Sequence, residues 1–289
     1  MIKKHVKKVN LFDINLTFES EKDYSILEEF KDFQTTCEET DYIYEIEECE
    51  EIPKDGKLLY SVEDFSIYTE GETEIRRFVR YELAKEENGF GVETRFPKDD
   101  SISLTFSKGI LEAYKGKLLV IQYLGLEKLL LQKDGFLLHA SLIEHQNMGI
   151  AFSAPSGTGK STQAELWKKY RNAEIINGDR AGIRKMENGE FMAYGSPMAG
   201  SSGIVKNKKV SLQAIVILRQ DKQNTIERMK PRDSFLALYS EALFNKWDEK
   251  YMQKLTELLI DVSVSVPVYL LKCRPDEEAV EILEKELKM

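Results

Sequence analysis

The sequence predicts a mixed α/β protein, α+β over the whole chain, with a strand-rich N-terminal domain at 1–116 and an α/β C-terminal domain at 117–289. Three observations predict this division. Period-two alternation of apolar and polar residues recurs through the first hundred residues, which is typical of half-buried strands. An apolar segment at 117–132 follows, and we expect it to form a connector helix. Beyond it, strand and helix patterns alternate, as they do in α/β domains.

Composition places the chain among globular proteins. It has 289 residues, of which 42% are hydrophobic and 31% charged, so it can bury a substantial core. We expect a cytoplasmic protein without a membrane partner, because no apolar run is long enough to span a bilayer and the N-terminus lacks a signal peptide. Three cysteines and three histidines disfavour a disulfide framework and a multi-histidine metal site.

Charge is unevenly distributed along the chain. The net charge is −9, which disfavours a nucleic acid as partner. Residues 1–100 contain 27 acidic and 14 basic residues, whereas the rest of the chain contains 23 acidic and 27 basic residues. An anionic ligand is therefore expected in the second half.

The N-terminal part predicts an antiparallel sheet with one helix. A helix is expected at 21–33, because apolar residues recur there at three-residue steps. The predicted strands are bounded by Gly, Pro and Asn-Gly turn signals, and they cover residues 9–18, 42–46, 65–68, 75–83, 90–96 and 102–106.

The C-terminal part predicts alternating strands and helices. Strands are expected at 136–143, 149–153, 173–176, 210–218 and 264–271, and helices at 163–170, from Pro231, at 247–260 and at 275–287.

A glycine-rich segment between a strand and a helix is the strongest functional signal. Residues 154–161 match the P-loop pattern G-x-x-x-x-G-K-[ST], with Ala154 in place of the first glycine. Such a loop turns backbone N–H groups toward phosphate oxygens at the positive end of a helix. The pattern predicts binding of ATP or another nucleoside triphosphate by Ser156, Gly157, Thr158, Gly159, Lys160, Ser161 and Thr162.

A carboxylate is expected to complete a Mg²⁺ site. The predicted strand at 173–176 leads directly to Asp179 and Arg180. We predict that Asp179 and the Ser161 hydroxyl bind Mg²⁺, and that Arg180 either pairs with Asp179 or contacts phosphate. The alternative is a surface Asp-Arg pair at the end of a strand.

Several segments together resemble a known family. His139-Ala140-Ser141, the glycine-rich segment with its helix, and Asn177-Gly178-Asp179-Arg180 follow one another as in the kinase domain of HPr kinase/phosphorylase. The sequence is more similar to HPr-kinase-like enzymes of bacterial peptide-biosynthesis clusters, and more distantly to phosphoenolpyruvate carboxykinases. The resemblance covers about residues 135–289.

The resemblance implies roles for further residues. It places His139 beside the transferred phosphate, with Asp179 and Lys160 as catalytic partners. Family members often have two consecutive acids where this chain has Gly178-Asp179, and Glu144 is a possible second acid. The Gly/Ser-rich loop at 194–203 is either a mobile lid or a flexible connector. Arg232 is either a phosphate contact or part of a surface ion pair.

These observations predict an ATP- and Mg²⁺-dependent kinase that phosphorylates a hydroxyl, for which we expect a serine of a peptide or small protein. A ribosomal natural-product precursor is one such acceptor. Two alternatives are a nucleotide-dependent binding or regulatory module without phosphotransfer, and a kinase of free serine or a small metabolite. Neither the acceptor, nor the base preference, nor the oligomeric state follows from the sequence.

Overall fold

The structure is a computed structural model that describes residues 4–23, 25–63, 65–79, 91–110 and 120–289. The chain divides into two compact units, Met1–Gly125 and Leu126–Met289. Both contain a large sheet, so the mixed α/β class expected from the sequence is confirmed. The predicted domain boundary after residue 116 lies outside the described residues. Within the described ranges, no helix is both long and apolar enough to cross a membrane.

The elements of the first unit are β1 (His5–Leu11), β2 (Ile14–Ser20), a 3₁₀ helix (Ser25–Phe33), β3 (Tyr42–Cys49), β4 (Lys57–Ser61), β5 (Phe65–Glu70), β6 (Thr73–Val79), β7 (Gly91–Phe96), β8 (Ser101–Ser107) and a 3₁₀ turn (Val120–Tyr123). Those of the second unit are α1 (Leu126–Gln132), β9 (Gly135–His145), β10 (Met148–Ser153), α2 (Lys160–Arg171), β11 (Glu174–Asn177), β12 (Arg180–Lys185), β13 (Phe191–Tyr194), a 3₁₀ turn (Gly200–Ser202), β14 (Lys209–Gln220), β15 (Thr225–Arg228), α3 (Pro231–Glu241), α4 (Glu249–Ser265), β16 (Val268–Cys273) and α5 (Glu277–Leu287).

The first unit contains a mixed sheet, not the antiparallel sheet that we predicted. Among the described residues its strand order is β1-β2-β3-β8-β7-β6-β5-β4. The β2–β3 and β3–β8 pairs are parallel. The β2–β3 connection contains the Ser25–Phe33 helix, and a crossover of that length permits parallel pairing. Phe30 and Phe33 of this helix are fully buried, whereas the side chains of Tyr24 and Leu27 lie outside the described part of the chain.

The single strand predicted at 9–18 is a hairpin. Strands β1 and β2 pair in antiparallel register from His5 opposite Ser20 to Leu11 opposite Ile14. Phe12 and Asp13 connect them, and both have positive φ, at 61° and 57°. Two consecutive left-handed residues form the type I′ turn that suits two-residue hairpins. This turn interrupts the alternation of apolar and polar residues at 9–18.

The predicted connector helix at 117–132 is interrupted. The structure shows a short 3₁₀ turn at Val120–Tyr123 and then α1, with Gly125 between them. Gly125 has a φ of 62°, and a Cβ at this position would lie 2.5 Å from the ring of Phe96. A left-handed residue stops an α-helix, so the apolar pattern continues through a break in the backbone. Residues 117–119 lie outside the described part of the chain.

The second unit is built on a sheet that closes on itself. Its strand order is β10-β9-β12-β13-β14-β16-β15, and β10 also pairs with β14. Strands β9, β10, β14, β13 and β12 therefore form a ring, with β10 between β9 and β14. Strands β12, β13 and β15 were not predicted, because they are short and partly polar.

Helices cover both faces of this sheet. Helices α2 and α5 pack on one face around Trp167 and Leu283, both of them fully buried. Helices α3 and α4 pack on the other face around Leu238 and Leu259, which are also fully buried. Ser153, which ends β10, and Lys160, which begins α2, therefore lie at the end of a strand with a packed core on each face of the sheet.

Candidate active site

A sharp loop connects β10 to α2. Residues 154–159, the glycine loop, contain Gly157 with a φ of 77° and Gly159 with a φ of 116°. L-residues rarely adopt these angles, so glycine is required at both positions. Among the described residues, no atom outside the adjacent residues lies within 4 Å of where a Cβ of either glycine would stand, so the loop is open on that side.

The N-terminus of α2 is open as well. Its N-cap is Gly159, which makes no side-chain cap hydrogen bond, and the first turn contains no acidic residue. In contrast, α4 and α5 are capped by the side chains of Asp248 and Asp276. An uncapped helix N-terminus presents backbone N–H groups and a partial positive charge, and both favour an anion.

Lys160 is folded back onto the glycine loop. Its Nζ donates to the carbonyl oxygen of Ala154 at 2.7 Å and to that of Pro155 at 3.4 Å. Burial holds the pKa of this ammonium below its ordinary value. The nearby carboxylates of Glu241 and Asp179 raise the pKa and so offset only part of the effect of burial. The same charge thus interacts with the loop and with two carboxylates from other elements.

Asp179 lies between two strands, shortly after a β-bulge in the first of them. Strands β11 and β12 both pair antiparallel with β9, and residues 178 and 179 lie between them. The Asn177 side chain is fully buried, and its Oδ1 accepts hydrogen bonds from the backbone N–H groups of Asp179 at 2.9 Å and Arg180 at 2.7 Å. The register shift in the β11–β9 pairing falls between Ile175 and Asn177, before Asp179, and such bulges re-aim the side chains beside functional sites.

His139 lies between two carboxylates. Its Nε2 is 3.5 Å from Oδ1 of Asp179, and its Nδ1 is 3.1 Å from Oε2 of Glu241. We call these three residues the histidine cluster. His139 is on β9, and its carbonyl oxygen accepts a hydrogen bond from Ser153, the last residue of β10. The cluster is therefore attached to the strand that leads into the glycine loop.

Glu241 is the site residue that sequence reasoning missed. It ends α3, and the chain after it is held to β9: Ala242 forms an antiparallel bridge with Leu138, and the Leu243 N–H donates to the Leu137 carbonyl at 3.0 Å. These backbone contacts place the last turn of α3 over His139. No motif surrounds Glu241, and its partner is 102 positions away, so no local pattern could have indicated it.

Arg180 flanks the cluster. Its Nε lies 3.7 Å from Oδ2 of Asp179, at the first position of β12. Of the two roles expected for Arg180, the pairing with Asp179 is present in the structure.

Gly178 has no room for a side chain. A Cβ at this position would lie 1.8 Å from Oγ of Ser202, whose hydroxyl donates to the Ala199 carbonyl and accepts from the Ile204 N–H. An acidic residue at position 178, next to Asp179, therefore does not fit this chain in its present loop arrangement.

We expect Gly178→Ala to destabilise the second unit by about 1–3 kcal/mol, because overpacking at this contact forces the backbone to move. Thermal unfolding of the purified protein measures this effect. The cost is expected to be smaller in a Ser202→Gly background, where the clashing side chain is absent. An equal cost in both backgrounds would contradict the steric explanation.

The Gly/Ser-rich loop is attached at several points. The buried Asn177 Nδ2 donates to the carbonyl oxygens of Ser196 at 2.8 Å and Met198 at 3.2 Å. Ser196 Oγ in turn donates to the Arg180 carbonyl at 2.6 Å. At Gly200, with φ 55°, a Cβ would lie 2.6 Å from the Cβ of Asp179. In this structure the loop forms a wall against Asp179.

The second unit, except for its last residue, lies within a region that matches a known protein family. A family model described as SynChlorMet cassette protein ScmC matches residues 118–288, which is more than half of the chain. The chain belongs to the ScmC family. The match includes the glycine loop and all three members of the histidine cluster, so these features lie in the family region of this ScmC-family protein.

A solved structure shares a weaker likeness. The Hpr(Ser) kinase/phosphatase from Coxiella burnetii is 11% identical, with a TM-score of 0.34, and the match covers 53% of this ScmC-family chain and 95% of that one. A likeness at this level does not assign an activity. Among curated proteins, none matches the chain.

The structure does not bring Glu144 to the site, and the expectation that it acts as a second acid is wrong for this arrangement. Glu144 pairs with Gly149 at the opposite end of the β9–β10 hairpin from Ser153. Five residues separate it from His139 along β9, about 16 Å at strand spacing. Its carboxylate accepts a hydrogen bond from Lys208, which also bonds Glu174.

Arg232 is also remote from the histidine cluster. It lies in the first turn of α3 and is exposed, whereas Glu241 ends the same helix. Nine residues at 1.5 Å each put the two about 14 Å apart along the helix axis. In this ScmC-family chain Arg232 therefore lies away from His139 and Glu241.

The remaining predicted residues lie on the loop and the start of α2. Ser156, Ser161 and Thr162 are exposed, and Thr158 is half-buried. A cleft of about 960 Å³ lies around Lys185 and Asp261, at the end of β12 away from Arg180, and none of the predicted site residues lines it.

The ion pairs around Glu174 make a pH-dependent prediction. Hydrogen bonds from Lys206 and Lys208 lower the pKa of the Glu174 carboxyl from its ordinary value of 4.5 to about 2. A lowered carboxyl pKa stabilises the folded state above the ordinary value, and this contribution is lost as the pH falls toward 2. We expect the difference in unfolding temperature between the natural chain and Glu174→Gln to be constant from about pH 5 to about pH 9, where the paired Lys208 keeps its proton, and to shrink below about pH 5. A difference that does not change with pH would contradict the assignment.

Proposed function

We propose that this protein is a kinase that transfers the terminal phosphoryl group of ATP, or of another nucleoside triphosphate, to a hydroxyl group, and we expect a serine of a peptide or small protein as the acceptor. The observation that supports this most directly is the histidine cluster on the strand beside the glycine loop. Phosphoryl transfer requires mainly positioning and neutralisation of charge, and this site has groups for both.

The glycine loop is proposed to hold the phosphate chain. Gly157 and Gly159 allow backbone N–H groups to approach phosphate oxygens, and the uncapped N-terminus of α2 adds a positive potential. The Lys160 ammonium now bonds the loop's own carbonyl oxygens. We propose that it exchanges these for the β- and γ-phosphate oxygens when a nucleotide binds.

The donor set fits Mg²⁺. Among the described residues, no three His, Cys, Asp or Glu side chains converge as a metal cage. Mg²⁺ usually takes one or two carboxylates, waters and phosphate oxygens, which matches the carboxylate of Asp179 and the exposed hydroxyl of Ser161. When bound, the ion neutralises the charge of the phosphate groups.

Asp179 is proposed to receive the proton of the acceptor. The acceptor oxygen forms a bond to the γ-phosphorus, the bond from that phosphorus to the bridging oxygen breaks, and the nucleoside diphosphate leaves. The hydroxyl proton passes to the Asp179 carboxylate. Arg180, 3.7 Å from this carboxylate, can stabilise negative charge on the transferred group.

His139 is proposed to accept a hydrogen bond from the protonated Asp179. An ionised carboxylate only accepts hydrogen bonds, so we propose that Glu241, 3.1 Å from Nδ1 of His139, holds the ring proton on that nitrogen. Nε2, 3.5 Å from Asp179, then has no proton to donate to the ionised carboxylate and becomes an acceptor once Asp179 has taken up the proton. In this arrangement Glu241 selects the tautomer that can support Asp179 after the proton transfer.

Labelled ATP tests the proposal. The purified chain is incubated with ATP labelled on the γ-phosphate, Mg²⁺ and one of three acceptors: the peptides encoded beside its gene, free serine, or none. The family description as a cassette protein supports taking candidate acceptors from neighbouring products. Label on a peptide supports the proposal. Label on free serine would instead identify a small-metabolite kinase, and nucleotide binding without transfer to any acceptor would identify a regulatory module.

A further inference from the structure

A second feature borders the glycine loop on the side away from His139. A cleft of about 530 Å³ is lined by loop residues 155–158 and by the ends of β14 and β16. We call it the loop-side cleft. None of the residues predicted from the sequence, other than those of the loop itself, lines it. Its volume lies within the range of small-molecule sites.

The floor of the loop-side cleft is apolar. Ile217 on β14 and Leu270 on β16 are paired across the two strands, and both are only half-buried. Two partly exposed aliphatic side chains side by side make a flat surface on which an aromatic ring can pack. Water contacts this surface in the absence of a ligand, so covering it is favourable.

The rim of the cleft is polar. Arg219 follows Ile217 by two positions and is therefore directed to the same face of the strand. Gln220 is attached to the loop, because its Nε2 donates to the carbonyl oxygens of Thr158 at 3.3 Å and Gly157 at 3.5 Å. A guanidinium and an amide oxygen beside an apolar floor are suited to the polar edge of a heterocycle or to ribose hydroxyls.

Strand order gives the direction of the ligand. Strand β10, which leads into the glycine loop, lies between β9 and β14. The reacting groups His139 and Asp179 are on the β9 side, and the cleft is on the β14 side. A triphosphate that lies along the loop with its terminal phosphate at Asp179 has its other end on the β14 side.

We propose that the loop-side cleft binds the nucleoside part of the triphosphate, with the base packed on Ile217 and Leu270 and with Arg219 and Gln220 contacting its polar edge or the ribose. This rests on the proposed nucleotide-binding function. In this arrangement the base and ribose contribute affinity beyond that of the phosphate chain, through contacts with the residues that line the loop-side cleft.

Calorimetric titration with two probes tests the proposal. Magnesium tripolyphosphate has the phosphate chain without a nucleoside, whereas MgATP has both. We expect the natural chain to bind MgATP at least about tenfold more tightly than tripolyphosphate, from the apolar area covered. Leu270→Asn and, separately, Ile217→Gln are expected to remove this advantage and to leave tripolyphosphate binding unchanged. Leu236→Asn, at an exposed position of α3, is the control and should keep the advantage.

The outcomes separate this proposal from the one on which it rests. If the natural chain binds both probes equally, or if both floor variants retain the full preference for MgATP, the cleft does not bind the nucleoside, although the phosphate site stands. If neither probe binds the natural chain, the proposed function itself fails, and the assignment of the cleft fails with it. Circular dichroism spectra identify any variant that does not fold, and the second floor variant then decides the result.

Discussion

Replacing Asp179 by asparagine is expected to lower the rate of phosphotransfer by about 10²–10⁴-fold, the usual contribution of a general base. Asparagine has nearly the same size, so the contacts with Gly200 and His139 remain sterically possible. Its amide cannot take up a proton, however, and it is a weaker ligand for Mg²⁺. The measurement is the initial rate of label transfer from ATP to the acceptor identified by the labelling assay.

A matched control separates this effect from a general loss of charge. Asp261→Asn removes a carboxylate that pairs with Lys185 at 2.6 Å and lines the cleft around that lysine. This variant should transfer phosphate at the natural rate. Asp179→Asn should still fold and should retain affinity for the nucleotide through the glycine loop. Full transfer by Asp179→Asn would remove it from the catalytic role.

Replacing Glu241 by glutamine is expected to lower kcat by about 10–100-fold, the usual effect of losing the partner that orients a functional imidazole. Glutamine keeps an oxygen that can accept from Nδ1 of His139 but loses the negative charge, and its amide can rotate to present a donor instead. The tautomer of His139 is then no longer determined. Because Glu241 acts through His139, the KM for ATP should change little. Steady-state kinetics over a range of ATP concentrations measures both constants.

A double-mutant cycle tests whether Glu241 is a positioning residue. In a His139→Gln background, the Glu241→Gln change should have no further effect on kcat, because the group that it orients is absent. Glu257→Gln, on the exposed face of α4, is the control and should behave like the natural chain. Two independent, multiplicative losses would contradict the positioning role and would indicate that Glu241 acts directly or only stabilises the fold.

Much of the local structure around the site could be predicted from the sequence. The strand before the loop, the helix after it and the strand leading to Asp179 are all present in the structure. These elements were predictable because apolar periodicity and glycine spacing are local properties of the chain. The predictions failed where the pattern was ambiguous: the alternation at 9–18 continues across a hairpin turn, and the apolar run before Leu126 continues across Gly125.

Side chains that meet from distant segments could not be predicted in the same way. Glu144 and Arg232 had suitable chemistry but lie about 16 Å along β9 and about 14 Å along α3 from the histidine cluster. Glu241 belongs to no motif and is the last residue of α3, yet its carboxylate lies 3.1 Å from Nδ1 of His139. Suitable residue type was therefore a poor guide to membership of the site.

The sequence by itself determined the glycine loop, since only glycine adopts the φ angles at 157 and 159 without strain, and it determined the lysine and the helix that follow. Only the tertiary structure decided which groups face that loop. The antiparallel pairing of β12 with β9 brings Asp179 to His139, and the bridge between Ala242 and Leu138 brings Glu241 to the same ring. The physical reason is that backbone torsion preferences are local, whereas the register between strands and the placement of a helix end depend on packing of the whole unit.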